Sequence, residues 1–164
     1  MQIQEEERCF YQSVLSQWVD YNGHMNDSAY ALIFTKALEH FLETLGLDEK
    51  ARKHHHYTTY TLETHTCFLK EALEADIVQV KTQVLDWDAK RIHLFMEMIN
   101  REKEIIATNE YMVMGMDQKE KRPAPFPPKV AEALASLGQQ HQKLPRPEKA
   151  GRRIGIPTKN KPAS

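Results

Sequence analysis

The chain has 164 residues, of which 41% are apolar and 27% charged, and its formal net charge is −1. This length suits one domain with one core, and the near-neutral charge argues against a nucleic-acid-binding protein and against a disordered acidic chain. No apolar stretch approaches the roughly 20 residues of a membrane helix, and the N-terminus lacks the basic and apolar regions of a signal peptide. We therefore expect a cytoplasmic protein that does not contact membranes.

Two elements are predicted in the first third of the chain. Residues 8 to 19 mix apolar residues with polar partners, which is typical of a half-buried strand. Between about residues 26 and 45 apolar positions recur every three or four residues, and Gly46 follows. This pattern predicts a long amphipathic helix that Asn26, Asp27 or Ser28 can cap. At 1.5 Å per residue the helix is about 30 Å long, so a sheet must wrap around it to cover its apolar face.

Four strand-like segments follow a charged connection that carries His54 to His56. They cover residues 57–69, 77–87, 91–99 and 105–116. Short polar connections predict that the last three form an antiparallel meander. The order of elements predicts an α+β fold in which an antiparallel sheet of about five strands wraps around one central helix, the hotdog fold. We expect the three histidines in an extended loop, where they cannot converge on one metal ion, so no metal site is predicted.

The C-terminal part of the chain differs in composition. Prolines precede a short helical pattern at about residues 128–137 and Gly138 follows it, which is the usual asymmetry of a helix. We therefore expect a hotdog domain over residues 1–138. Residues 139–164 contain seven Lys or Arg and one Glu, so this tail carries +6 and the remainder −7. We expect it to be disordered, as a solubilising terminus or as a phosphate-binding arm.

The segment Trp18-Val19-Asp20-Tyr21-Asn22-Gly23-His24-Met25-Asn26 combines a carboxylate, an imidazole and two amides on one glycine turn before the long helix. A helix start presents unpaired backbone N–H groups and the positive end of the macrodipole. An acid beside it faces a site prepared for a developing oxyanion. Asp, Asn and Gly are also the residues of ordinary tight turns. The alternative that this segment is only a turn, with no catalytic role, stays open.

The order of elements and the D-x-x-G-H-x-N motif resemble hotdog acyl-CoA thioesterases of the 4-hydroxybenzoyl-CoA thioesterase type over about residues 8–137. The resemblance implies that Asp20 is the catalytic carboxylate, as nucleophile or general base, and that the helix start with Met25 and Asp27 forms the oxyanion site. More narrowly, W-V-D-Y-N-G-H-M-N followed by Tyr30 is similar to the thioesterases of carnitine breakdown, which hydrolyse betainyl-CoA. Two departures are Glu74-Ala75-Asp76, where the family commonly has Gly before the Asp, and Asp27, where some relatives have tyrosine.

Thioester hydrolysis fits these residues on chemical grounds. A thioester has a good leaving group and needs a nucleophile and a stabilised oxyanion, and the reaction requires no metal or cofactor. His24 either orients the acyl group or donates to the leaving thiolate, or it only packs the helix start. Asn26 is either a helix cap or a substrate contact. The resemblance also implies a homodimer, which could assemble into a tetramer, with the opposite chain supplying residues around Glu63, His65 and Phe68.

The aromatic residues beside the motif suggest an acyl pocket. Trp18, Tyr21 and Tyr30 flank it, and Phe68 and Trp87 are also available. A quaternary ammonium group has no hydrogen to donate, so a betainyl substrate would need aromatic faces. Aromatic residues at strand and helix positions are also ordinary core residues, and this alternative stays open.

Two other functions deserve comparison. A hotdog enoyl-CoA hydratase would space its Asp and His by five with a proline between them, whereas Asp20 and His24 are four apart with Gly23 between them. A non-catalytic acyl-CoA-binding hotdog protein would drop the acid, so Asp20 favours the enzyme.

Overall fold

The computed structural model describes residues 9–158. The strands are β1 (Phe10–Ser13), β2 (Tyr57–Phe68), β3 (Ile77–Trp87), β4 (Arg91–Ile99), β5 (Ile105–Asp117) and β6 (Arg122–Pro123), and the helices are α1 (Asp27–Thr44), α2 (Glu49–His55) and α3 (Pro128–His141). The strands form one antiparallel sheet in the order β1-β3-β4-β5-β2, with β6 beside the end of β5. The predicted meander of the last three long strands is confirmed.

Helix α1 and one face of the sheet share the core. Ile33, Phe34 and Phe41 of α1 are completely buried, and they belong to one apolar cluster with inward-facing residues of β3, β4 and β5. Burying a side chain of this kind contributes about 1.5–3 kcal/mol. Gly46 follows the helix with φ +94°, a conformation that favours glycine, so the predicted stop is confirmed. The α+β arrangement with one long central helix is therefore confirmed.

The first predicted strand is wrong in length. Strand β1 ends at Ser13 because it pairs only with the first four residues of β3. Ser16–Trp18 then form a short 3-10 helix that leads into the glycine turn. Residue 8 of the predicted strand lies outside the described residues.

The connection that carries His54 to His56 is helix α2 rather than an extended loop. The Asp48 side chain caps it by accepting a hydrogen bond from the Ala51 N–H at 2.8 Å. His56 ends it with φ 48°. A capping aspartate before Glu49 and basic residues in the last turn are the local signals of this helix.

Helix α3 extends beyond Gly138, which is not a helix stop. A Cβ atom at Gly138 would lie 2.4 Å from the Trp87 ring, so the glycine permits close packing inside the helix. His141 then covers the free edge of β3, because its Nδ1 accepts a hydrogen bond from the Val84 N–H at 2.9 Å. The helix therefore passes the domain boundary predicted at residue 138.

Residues 142–158, called the strap below, follow α3 and contact the sheet. The Gln83 side chain donates to the Pro145 carbonyl at 3.2 Å, and the Gly151 N–H donates to Glu110 Oε2 at 2.8 Å. Part of the predicted basic tail is thus held against the sheet, and residues 159–164 lie outside the described residues. Within residues 9–158, none of the helices is long and apolar enough to cross a membrane.

Candidate active site

The glycine-turn motif folds as a small hairpin directly before α1. The Asn26 N–H donates to the Trp18 carbonyl at 2.8 Å, and the Asp20 N–H donates to the His24 carbonyl at 2.9 Å. Gly23 adopts φ +77° in the turn, and its N–H donates to the Asp20 carbonyl at 2.9 Å. This positive φ is why the turn favours glycine. The hairpin holds Asp20 at its tip.

The Asp20 carboxylate is exposed, and its own turn orients it. Its Oδ1 accepts hydrogen bonds from the backbone N–H groups of Asn22 at 2.8 Å and His24 at 3.1 Å. Its Oδ2 accepts no hydrogen bond from any residue between 9 and 158. The predicted turn chemistry is therefore present, and it leaves one carboxylate oxygen available for reaction.

The start of α1 corrects two details of the prediction. Asn26 occupies the N-cap position, but its side chain makes no capping hydrogen bond. The Met25 N–H donates to the Ala72 carbonyl at 2.8 Å, so it is not a free oxyanion donor. The Ser28 N–H donates to Asp27 Oδ1 at 2.7 Å. The N–H of Asp27, the first helical residue, has no acceptor within the described part of the chain, and it lies at the positive end of the helix.

His24 is paired with a residue that the motif does not contain. Its Nε2 lies 3.1 Å from Glu71 Oε2, and both side chains are partly exposed. A backbone bridge between His24 and Leu73 brings the two segments together. Glu71 thus orients the imidazole beside the helix start.

A cleft of about 320 Å³ opens at the start of α1. It is lined by Met25, Asp27, Tyr30, Phe68, Leu69, Lys70 and Glu71. The rings of Tyr30 and Phe68 meet edge to face with centroids 5.3 Å apart. The Tyr30 hydroxyl donates to the Lys70 carbonyl and accepts from the Ala72 N–H, and burial raises the pKa of this tyrosine. The cleft therefore combines aromatic surface with two carboxylates.

Asp20, His24 and Asn26 lie on the hairpin and helix start that adjoin this cleft, but they are not among the residues that line it. Four other predicted site residues lie away from the cleft within one chain. Trp18 is buried, and Lys36 Nζ lies 5.6 Å from its ring centroid, whereas Tyr21 is 97% exposed. Glu63 and His65 line a different cleft on the opposite face of the sheet. The structure brings Met25, Asp27, Tyr30 and Phe68 together with Glu71, Lys70 and Leu69, which sequence reasoning missed because their loop carries no periodic pattern.

Comparisons with known proteins identify the family of this chain. The family model of the Thioesterase-like superfamily matches residues 14–134. The betainyl-CoA thioesterase of Pseudomonas aeruginosa is 37% identical over 145 residues, which are 88% of this chain and 91% of that protein. The L-carnitine dehydrogenase/betainyl-CoA thioesterase of Agrobacterium fabrum is 37% identical over 134 residues, which are 82% of this chain but 27% of that longer protein.

A solved structure supports the same assignment. The Staphylococcus aureus protein SAV2348, solved in complex with CoA, superimposes with a TM-score of 0.88 and 32% identity, and the match covers 96% of this chain and 99% of that one. The chain therefore has the hotdog fold and belongs to the Thioesterase-like superfamily.

Proposed function

We propose that this protein hydrolyses an acyl-CoA thioester to the free acid and CoA, with Asp20 as the reacting carboxylate. The observation that carries the proposal is the orientation of Asp20. One carboxylate oxygen is held by two backbone N–H groups while the other accepts no hydrogen bond within residues 9–158. The relatives named as thioesterases support this reaction, and they make an enoyl-CoA hydratase or a non-catalytic acyl-CoA-binding protein the weaker alternatives.

The proposed chemistry uses these groups as follows. Asp20 Oδ2 attacks the thioester carbonyl or removes a proton from a water molecule that attacks it. The carbonyl oxygen then becomes negatively charged, and the free Asp27 N–H and the helix dipole stabilise it. Collapse of the intermediate breaks the carbon–sulfur bond and releases the thiolate, which takes up a proton to become the thiol. If water attacked, this step gives the acid directly; if Asp20 attacked, it gives a mixed anhydride, which one water molecule hydrolyses to the acid and the free Asp20 carboxylate. A positioned base contributes about 10²- to 10⁴-fold, and one oxyanion donor about 2.7–4 kcal/mol.

We assign His24 and Asn26 supporting roles in the same site. Glu71 holds His24 through Nε2, which orients the ring for proton donation to the leaving thiolate. The Asn26 amide makes no capping bond to α1, so it is available to contact the substrate. These roles make both residues part of the catalytic machinery, with Asp20 at its centre.

We further propose betainyl-CoA as the substrate. The two relatives described above carry this substrate in their names. A trimethylammonium group binds aromatic faces and is attracted to carboxylates. The cleft offers the exposed ring of Phe68, which packs against Tyr30, for the first interaction and Asp27 and Glu71 for the second. Trp18 is a weaker candidate for this role, because Lys36 already lies over its ring.

We also propose a homodimer that forms through β2 and could pair again into a tetramer. Strand β2 is an edge strand of 12 residues, and Tyr60 and Leu62 on it are 55% and 54% exposed. The unpaired backbone groups of a long, partly apolar edge strand favour pairing with another strand. When two copies pair through a two-fold axis, each copy covers the edge of the other. In the dimer, Glu63 and His65 of β2 are the residues that the partner would contribute, whereas Phe68, also expected from the partner, lines the cleft of its own chain. We propose a cytoplasmic location, where acyl-CoA substrates are available.

A thiol-release assay tests the reaction and the substrate together. Betainyl-CoA is compared with 3,3-dimethylbutyryl-CoA, a neutral thioester of nearly the same shape, and with short straight-chain and aromatic thioesters. We expect the charged substrate to be preferred, because only it gains the cation–π and carboxylate attraction. An enzyme that hydrolyses the two equally well contradicts the betainyl proposal, and one that hydrolyses no thioester contradicts the function.

The variant Asp20→Asn tests the mechanism. It keeps an acceptor oxygen for the turn but cannot act as base or nucleophile, so we expect at least about a hundredfold loss in kcat. Asp86→Asn, an exposed aspartate on β3, is the matched control and should keep full activity. If Asp20→Asn hydrolyses thioesters as fast as the control, the assignment of Asp20 is wrong.

A further inference from the structure

The strap crosses the outer face of the sheet, which is the face turned away from α1. The register places Gln83, Phe95, Glu110 and His65 in one row across β3, β4, β5 and β2. Phe95 is 2% exposed, yet it lies outside the apolar cluster that surrounds α1. Leu144 and Pro147 of the strap line a cavity together with Phe95, so the strap passes over this face.

The strap meets the strands in their spatial order. It contacts β3 where Gln83 donates to the Pro145 carbonyl, and β5 where the Gly151 N–H donates to Glu110. Glu110 is held in turn by His93 of β4, whose Nε2 lies 2.7 Å from Oε1. Between these points, Pro147 lines a cavity together with Phe95 and Glu97 of β4. The path therefore runs steadily toward β2.

The strap reaches the edge of the sheet at Arg152 and Arg153. These residues line a cleft of about 350 Å³ together with Glu63 and His65 of β2. Strand β2 ends the sheet, so one copy of the chain has no further strand in this direction. The next residues, Ile154 and Ile156, are 90% and 91% exposed.

We infer that residues 152–158, called the arm below, dock on the outer face of a second copy of this chain beside that copy's strand β2. The unpaired edge of β2 and the exposed apolar side chains of the arm lie at the same side of the sheet. The backbone edge of β2 has exposed Tyr60 and Leu62, and the arm beyond it carries two almost fully exposed isoleucines. A two-fold dimer through β2 brings a partner's outer face to the place where the arm leaves its own sheet, so one occupant covers both features. The inference rests on the proposed dimer.

The receiving surface has suitable chemistry. Tyr60 pairs with Met114, and Met112 and Met114 alternate with the buried Val113, so all three side chains lie on the outer face next to the edge. Met112 and Met114 are partly exposed. Methionine adapts its shape to an incoming apolar side chain. In a symmetric pair each copy gives one arm and receives one.

The experiment compares dimer dissociation constants of the full chain by analytical ultracentrifugation over a dilution series. The double variant Ile154→Ser/Ile156→Ser removes the apolar contacts at exposed positions, so folding should not change. We expect its dimer to dissociate at least about tenfold more readily. The matched control is Lys143→Ser/Arg146→Ser, which alters the strap before Gly151 and should dimerise as wild type does.

A second readout locates the arm. Trypsin cleavage after Arg152 and Arg153 should slow as the wild-type concentration rises through the dimer range, whereas cleavage after Lys119 in the β5–β6 turn should not. Equal dissociation constants for the isoleucine variant and wild type, a wild type that is monomeric throughout, or unprotected arginines would each overturn the proposal. Thioester hydrolysis by wild type is measured separately, so failure of the arm and failure of the proposed function are distinguishable.

Discussion

Replacing Tyr30 by phenylalanine tests how the helix holds the loop that lines the cleft. Tyr30 is 4% exposed, and its hydroxyl accepts from the Ala72 N–H at 3.1 Å and donates to the Lys70 carbonyl at 3.2 Å. Ala72 is 1% exposed, so its N–H loses its acceptor without gaining water. Leaving a buried donor unsatisfied costs about 1–3 kcal/mol. Lys70 is an exposed residue, so we expect its carbonyl to bind water instead, and the expected loss in the free energy of unfolding is about 2 kcal/mol.

Urea denaturation measures this loss. With an m-value of about 1–3 kcal/mol/M, a change of about 2 kcal/mol moves the midpoint by about 1 M while m stays constant. The protein concentration must be the same for all variants, because dimer formation adds to the apparent stability. Tyr21→Phe is the matched control, since Tyr21 is 97% exposed and should change stability by less than about 0.5 kcal/mol.

The same variant has a functional consequence. Lys70 and Ala72 flank Glu71, which orients His24. A loosened loop should therefore raise KM and lower kcat even though position 30 keeps its aromatic ring. Equal midpoints for Tyr30→Phe and Tyr21→Phe would refute the claim that the hydroxyl fastens this loop to α1.

Three further changes test other parts of the molecule. Ala75 has φ 67°, so Ala75→Gly should stabilise the fold by about 0.5–1 kcal/mol, and an unchanged urea midpoint would contradict this. Gly138→Ala should destabilise by about 1–3 kcal/mol despite the helix preference of alanine, because the new Cβ meets the Trp87 ring; a higher Tm would show that the ring moves freely. Burial raises the pKa of Glu97, against an opposing effect of Lys81, so the folded state holds the Glu97 proton more tightly than the unfolded state. The stability that this proton contributes is present below the unfolded pKa of about 4.3 and is lost as pH rises through the folded value. The Tm of Glu97→Gln should therefore rise relative to the Tm of wild type as the pH increases from 4 to 7. A Tm difference that stays constant over this range would exclude the mechanism.

Long elements could be predicted from the sequence because their patterns extend over many residues. Helix α1 and strands β2 to β5 lie within one or two residues of the predicted bounds. Short elements depend on tertiary partners instead. Strand β1 is only as long as its pairing with β3, and Gly138 continues a helix because Trp87 packs on it. The composition of the strap gave no sign that Glu110 would hold it through Gly151.

In the candidate site, too, residues with a local sequence pattern could be predicted, whereas residues that depend on tertiary contacts could not. Asp20, Asp27 and Tyr30 could be proposed from the sequence because a turn and a helix start have recognisable residues. Glu71 could not, since it lies in a loop whose position depends on contacts with residues far away in the sequence. The family resemblance also implied an oxyanion donor at Met25, but the structure shows the Met25 N–H bonded to the Ala72 carbonyl.

The loop between β2 and β3 is as much a part of the proposed catalytic geometry as the motif itself. It binds the hairpin through two backbone hydrogen bonds, from the Met25 N–H to the Ala72 carbonyl and from the Glu74 N–H to the Gly23 carbonyl, which together pair His24 with Leu73. The hairpin alone is a short two-stranded ribbon, and such ribbons are marginally stable in water. The loop therefore supplies the support that keeps the Asp20 turn in register with the start of α1. A change of a few tenths of an ångström in this loop moves the carboxylate relative to the Asp27 N–H, so substitutions in residues 70–76 should affect kcat without touching a reacting atom.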